Sequence, residues 1–168
     1  MAALEPPRPV TGEDAVKPFD CGQESLNRWF ARHAWQNQRN GASRTYVVCE
    51  TGSGRIAGYV SLSTGQIERG LLPKSLQRNK PDPIPILLMG QLAVSVDFQG
   101  MGLGASLLQH AFRIAVVTAD AVGVFALATH PLNAGARSFY ARWGFRILEA
   151  DPKSAMIVRI KDLQASGF

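Results

Sequence analysis

Several protein classes are excluded by what this chain lacks. Only two cysteines, Cys21 and Cys49, occur in 168 residues. They form neither a disulfide framework nor a zinc-ligand spacing. They read instead as small core-filling thiols, and the compartment expected is the reducing cytoplasm. No apolar run reaches the roughly 18 residues of a membrane span. The first nine residues carry Glu5 and three prolines rather than an apolar stretch, so no secretory leader is expected. The motifs H-E-x-x-H, C-x-x-C and G-x-S-x-G are all missing, which leaves metal hydrolysis and nucleophile-elbow chemistry without their residues. No metal is expected, and there is no repeat or low-complexity tract.

Acidic residues are scarce in one long segment. From Arg28 to Lys80 there are nine basic side chains against Glu50 and Glu68, a charge of +7; the rest of the chain carries −2 of the total +5. A one-sided excess of this kind suits a polyanionic partner, although a solvated basic surface would look the same. Arg28, Arg32, Arg39, Arg69, Lys74, Arg78 and Lys80 are the candidates for phosphate contact.

Residues 1–18 read as an N-terminal extended arm and 19–168 as one domain, long enough to bury about 70% of its unfolded surface. Asp20 is placed to cap a helix, with Gln23 as reciprocal partner. Leu26, Phe30, Ala34 and Asn37 then predict a helix from Gln23 to Gln38. Arg44 to Glu50 and Ile56 to Ser63 read as a hairpin. Gln66 to Pro85 is a long polar connection, of the kind that is usually functional or mobile. Ile84 to Val96 reads as a central strand, followed by a glycine turn and a helix from Gly102 to Val117 with Leu103, Leu107, Ala111 and Ile114 inward. Phe125 to Thr129 is a short buried strand. Asn133 is placed to cap a helix to Trp143, ended by Gly144 at the left-handed position. Phe145 to Leu148 and Ala155 to Ile160 are the last expected strands. Hairpins mixed with a crossover predict an α/β (α+β) fold with a mixed sheet and helices on its faces.

The turn Gln99-Gly100-Met101-Gly102-Leu103-Gly104 is the most informative stretch. Glycines at a strand-to-helix junction let backbone N–H groups close on a ligand. The helix start adds roughly half a positive charge at the same place, and together these describe a pyrophosphate cradle. A dinucleotide fold would want a carboxylate at the end of the next strand, but here that strand ends Thr129-His130-Pro131. A P-loop would want Gly-Lys-Ser/Thr, but here the residues are Gly104-Ala105-Ser106.

Gln99-x-x-Gly102-x-Gly104 after an apolar strand resembles the acyl-CoA signature of the GNAT N-acetyltransferase superfamily. The block Asn133-Ala-Gly-Ala-Arg-Ser-Phe-Tyr140-Ala-Arg-Trp-Gly144-Phe145 is similar to the same superfamily's helix-to-strand pattern. Phe19-Asp-Cys-Gly22, Leu26-Asn27, Arg44-Thr45, Gly58-Tyr59 through Leu62-Ser63, Pro81-Asp-Pro-Ile-Pro85 and Gly90-Gln91-Leu92-Ala93-Val94 extend the resemblance to its toxin branch. That branch comprises the TacT-like aminoacyl-tRNA acetyltransferases of toxin–antitoxin pairs. Gln91 departs from it, since arginine is common there.

The resemblance implies a single GNAT fold with a splayed central sheet, acetyl-CoA as cofactor, charged tRNA as acceptor and a blocked translation machinery. It also implies a ribbon-helix-helix antitoxin as partner, with a homodimer compatible. Pantetheine would lie along Leu92, Ala93 and Val94, and backbone N–H groups of Gln99, Gly100, Met101, Gly102, Leu103 and Gly104 would take the pyrophosphate. Asn133 would touch the cofactor, and Tyr140 would protonate the departing thiolate.

Leu87 to Val94 offer no carboxylate or histidine as general base. A lysine acceptor, with a pKa near 10.4, would want one; an α-amino group at about 7.7–8.0, lower once its carboxyl is esterified, needs less help. His130 reads as a loop residue, and Phe139 and Trp143 as packing. Two other readings stay open: acetylation of a small amine or protein N-terminus, and a non-catalytic acyl-CoA-binding module.

Overall fold

A computed structural model describes residues 3–168; residues 1 and 2 of the expected arm lie outside the described residues. Seven strands make one mixed sheet in the order β1-β2-β3-β4-β5-β7-β6. They are β1 Arg8–Pro9, β2 Arg44–Cys49, β3 Ile56–Ile67, β4 Ile84–Val94, β5 Ala126–Thr129, β6 Arg146–Ile147 and β7 Met156–Arg159. β4 and β5 run parallel; β1 with β2, β2 with β3, and β7 with both β5 and β6 are antiparallel. The helices are α1 Glu24–Trp29, α2 Trp35–Asn40, α3 Lys74–Gln77, α4 Leu103–Ala121, α5 Ala134–Arg142 and α6 Ile160–Ala165. The chain divides into two compact units, one running to Ser63 and including Met89–Ala111, the other Thr64–Leu88 with Phe112–Phe168.

The first unit is built on aromatic packing. Phe30 stacks on Tyr59 at 4.2 Å, and Phe19 meets both rings edge-on at 5.1 and 5.4 Å. The Tyr59 hydroxyl donates to the Leu26 carbonyl at 2.8 Å, so a buried polar tip is satisfied. A π-helical segment, Phe30–Ala34, joins α1 to α2. Phe30 and Ala34, at the two ends of this segment, are both fully buried. The N-terminal arm is docked: β1 pairs with β2, and Arg8 binds the Asp14 carboxylate at 2.7 Å and donates to Cys49 Sγ at 3.4 Å. Cys21 and Cys49 are free and buried, and burial pushes both thiols up. At Gly58 a Cβ would lie 2.9 Å from a Leu107 methyl and 3.0 Å from the Ala93 carbonyl, so this close approach requires glycine.

The second unit buries Ile67, Ile84, Ile86, Ala126, Ala128, Leu148 and Ile157 in one cluster. Phe112 touches Phe145 at 5.9 Å and Phe168 at 5.2 Å, anchoring the C-terminus.

Several expected elements differ. Asp20 does not cap α1: Gln23 holds that position without a side-chain bond, and Asp20 Oδ1 accepts from the Gly22 and Asn27 amides in a turn of its own. β3 continues to Ile67 rather than stopping at Ser63, and the expected long connection contains the 3₁₀ turn Arg69–Leu71 and α3. β4 ends at Val94, and Val96–Phe98 is a 3₁₀ turn. α4 runs on to Ala121, with Leu108, Phe112 and Ala115 buried beside the expected positions and Ile114 only half-buried. The last strand gives way at Ile160 to the unexpected α6. The Ile160 N–H still donates to the Phe125 carbonyl at 3.0 Å, so the strand-like pairing ends where α6 begins.

Candidate active site

The expected site residues fall into two groups, one in each unit. In the first unit the glycine turn is held from behind. Ser95 N–H donates to Ala57 O at 2.8 Å and Val96 N–H to Asp20 O at 2.9 Å. Gln99 Nε2 donates to Val94 O at 3.0 Å and Cys21 O at 3.1 Å. Gly100 and Gly102 sit at φ +80° and +82°, where a side chain would be strained. A Cβ on either would meet nothing within 4 Å, so the space beside the turn is open. Gly104 lies inside α4, and no left-handed φ requires it.

Ser106 N–H bonds to Gly102 O at 3.1 Å as α4 begins. The N–H groups of Leu103, Gly104 and Ala105 therefore precede the helical ladder and face outward. The first turn of α4 holds no acidic residue to compete for them. Upstream, Leu92 and Val94 are half-buried and Ala93 is buried. The β4–β5 register covers Ile86–Leu88 against Ala126–Ala128, and β4 then continues to Val94. Main chain beyond such a register is the edge that an extended ligand can pair with. The Val94 carbonyl is already occupied by Gln99.

In the second unit α5 presents Tyr140. Asn133 caps this helix as expected, its Oδ1 accepting the Ala136 N–H at 2.9 Å. Gly144, at φ +95°, ends it, and Trp143 and Phe145 N–H groups return to the Tyr140 carbonyl at 3.0 and 3.1 Å. Tyr140 is only 6% exposed, between Phe139 at 5.4 Å and Phe145 at 5.2 Å. Burial pushes its phenol up to about 12, against a hydrogen bond with Thr129 that acts the other way. A phenol in that state holds its proton throughout the physiological range.

A groove of about 540 Å³ opens in the same unit, floored by Ile67, Leu71, Ile86, Leu88 and Ala128. His130, exposed, and Glu68 stand at its edge. Asp151 closes one side, and its two carboxylate oxygens accept the N–H groups of Lys153 at 3.0 Å and Ala155 at 3.1 Å. The sequence reading placed Thr129 only as the end of a strand and did not foresee this groove. The available signal was period-two alternation in β5, which separates Ala126, Ala128 and His130 from Leu127 and Thr129.

The candidate phosphate-binding residues also divide. Arg28, Arg32 and Arg39 are exposed in the first unit, with Arg28 paired to Glu24 at 2.9 Å. In the second unit Arg69 donates to the Lys80 carbonyl at 2.9 Å, and the Lys80 ammonium lies 5.1 Å from the Phe125 ring centre. Lys74 and Arg78 are exposed. Among the described residues no salt bridge engages Arg32, Arg39, Lys74 or Arg78.

A glycine-bent helix start at the end of a long strand, and a buried tyrosine on a later capped helix, are each features expected of an acyl-CoA-dependent acyltransferase. The Acetyltransferase (GNAT) family profile matches residues 13–145, and the chain belongs to that family. It is 36% identical over 165 residues to the tRNA-acetylating toxin of Mycobacterium tuberculosis, covering 98% of both chains. It is similar to the structure of AtaT complexed with acetyl-methionyl-tRNAfMet, with 31% identity and TM-score 0.90 over 99% of this chain and 100% of that one. It is also similar to a point mutant of the AtaT toxin bound to the C-terminus of the antitoxin AtaR and acetyl-CoA. That match has 28% identity and TM-score 0.82 over 97% of each chain. The residues present fit coenzyme A: two left-handed glycines border open space, and three outward N–H groups meet no carboxylate in their own turn.

Among the described residues no cluster suits a metal ion, and no helix is long and apolar enough to cross a membrane.

Proposed function

We propose that this protein is a toxin-type N-acetyltransferase that moves the acetyl group of acetyl-CoA to the α-amino group of aminoacyl-tRNA and so stops translation. The observation that carries the acceptor is the chain-long likeness to a tRNA-acetylating toxin.

When bound, acetyl-CoA supplies an acetyl group already activated as a thioester. The N–H groups of Leu103, Gly104 and Ala105, with the turn from Gln99 to Gly102, hold its diphosphate through charge-assisted hydrogen bonds. The main chain of Leu92 and Ala93 orients the pantetheine arm. The groove floored by Ile86, Leu88 and Ala128 receives the aminoacyl ester. Arg32, Arg39, Lys74 and Arg78 hold tRNA phosphates without reading bases. Tyr140 Oη carries the proton that the departing sulfur takes. The acceptor nitrogen sheds a proton as its bond to the acetyl carbon forms, and this proton restores Tyr140.

The protein acts in the cytoplasm, where charged tRNA is found. Its partner is a ribbon-helix-helix antitoxin that covers the basic surface, and a homodimer is compatible with this reading. The test is incubation with labelled acetyl-CoA and a panel of individually charged tRNAs. Label on the aminoacyl moiety of at least one is expected. Label confined to free polyamines or protein N-termini overturns the reading.

A further inference from the structure

We propose that Gly65 is a specificity-determining residue for the acceptor: by withholding a side chain, it keeps the floor of the groove open to an apolar side chain on the amino acid esterified to tRNA. The proposal rests on the aminoacyl-tRNA reading of this site.

Nothing in the backbone requires glycine at this position. Gly65 lies inside β3, and its φ is not left-handed. A glycine inside a strand weakens it and often marks a place that a ligand or another backbone approaches closely. At Gly58, in the same strand, the reason is structural, since a Cβ would meet the Ala93 carbonyl at 3.0 Å. At Gly65 the three nearest atoms all belong to side chains. A Cβ there would stand 3.2 Å from Ile86 Cδ1 and 3.7 Å from both Ile86 Cγ1 and Leu88 Cβ. Ile86 and Leu88 floor the groove. A side chain at position 65 would therefore stand on that floor rather than against main chain.

The neighbouring strands complete the depression. β4 lies between β3 and β5, with Ile86 in register with Ala126 and Leu88 with Ala128. The branched side chains of Ile86 and Leu88 thus run between small residues, with Gly65 on one side and the two alanines on the other. Gly65, Ile86, Leu88 and Ala128 all line the groove of about 540 Å³. Its polar lining residues Gln66, Glu68, His130 and Lys153 are exposed, whereas Ile86 and Ala128 are 3% and 1% exposed. Polar groups ring the mouth, and apolar groups make the base. Asp151 is half-buried, but its two oxygens already accept the Lys153 and Ala155 N–H groups.

This arrangement sorts acceptors by polarity and by size. The gain from entering the groove grows with the apolar area taken out of water. A short charged side chain such as aspartate would be carried toward a base that offers it no partner, and an unpaired buried charge is costly. Uncharged apolar amino acids are therefore the acceptors, and Gly65 sets how large they can be.

The tRNA that labels best in the panel above, charged in turn with leucine, glycine and aspartate, serves as the probe, so that only the amino acid changes. Leucyl ester should be acetylated at least as well as glycyl ester, and aspartyl ester roughly ten-fold or more worse in kcat/KM. Gly65→Val should lower the leucyl-to-glycyl ratio of kcat/KM by roughly ten-fold or more, and Gly65→Ala should lower it by less. Calorimetry with acetyl-CoA and thermal melting check that each variant folds, and should valine disturb the strand, the alanine variant decides. Refusal of leucyl ester, acceptance of aspartyl ester on equal terms, or a ratio unmoved in a folded variant overturns the role of Gly65 while label on the aminoacyl moiety keeps the acceptor reading. Absence of label on every charged tRNA overturns that reading and this proposal with it.

Discussion

A single proton sets the residue-scale requirements of this site. In the proposed role Tyr140 holds it until sulfur leaves, and burial, which pushes the phenol up to about 12, keeps it protonated at neutral pH. The acceptor amine has the opposite requirement, since only its unprotonated form attacks. The rate should therefore rise with pH through the amine's titration, below about 8 for an esterified amino acid. It should then stay level, because a donor whose folded pKa is raised loses its proton only as pH climbs past that raised value. A kcat profile against charged tRNA should show one ascending limb and no descent before about pH 10. A descent between about 8 and 10 would assign the proton to a more acidic group. Tyr140→Phe should keep acetyl-CoA binding by calorimetry and lose roughly 10²–10⁴-fold in kcat.

At the scale of elements, α5 carries this tyrosine and is held at both ends. Asn133 caps its start and Gly144 closes it. Asn133→Ala should cost about 1 kcal/mol of stability by thermal melting and lower kcat through a looser Tyr140. A contact with coenzyme A alone would instead raise its Kd and leave the melting temperature unchanged. Both ends of α5 were legible in the sequence because capping chemistry is local: an asparagine before the helix and a glycine after it. The glycine turn was legible for the same reason, since positive φ at Gly100 and Gly102 follows from residue type. What escaped was set by distant partners. Asp20 looked like a helix cap, but Asn27 and the Gly22 amide claim its carboxylate. Phe30 and Ala34, at the ends of the π segment, lie in a core that includes Tyr59, and no local signal marks the segment. The groove is assembled from segments as far apart as Gly65 and Ala155, so no single stretch could announce it.

Across the whole molecule, charge is the property most readable from sequence, and its consequence is a dependence on salt. The +7 segment was apparent from counting; the structure sorts its members by how free they are. Arg55 is spent on Asp97 at 2.6 Å and Arg44 on the Gln38 carbonyl at 2.8 Å. Arg32, Arg39, Lys74 and Arg78 stand exposed with no salt bridge among the described residues. If these four neutralise tRNA phosphates, each releases counterions, and the logarithm of tRNA affinity falls linearly with the logarithm of salt concentration. Replacing Arg32 and Arg39 together with glutamine should weaken charged tRNA by roughly ten-fold or more near physiological salt and reduce that slope by about one per contact removed. Acetyl-CoA affinity should not move, since neither residue belongs to the glycine turn. Filter binding across a salt series decides the matter: an unchanged slope in the double variant would mean that tRNA approaches over another surface, even if acetylation itself persists.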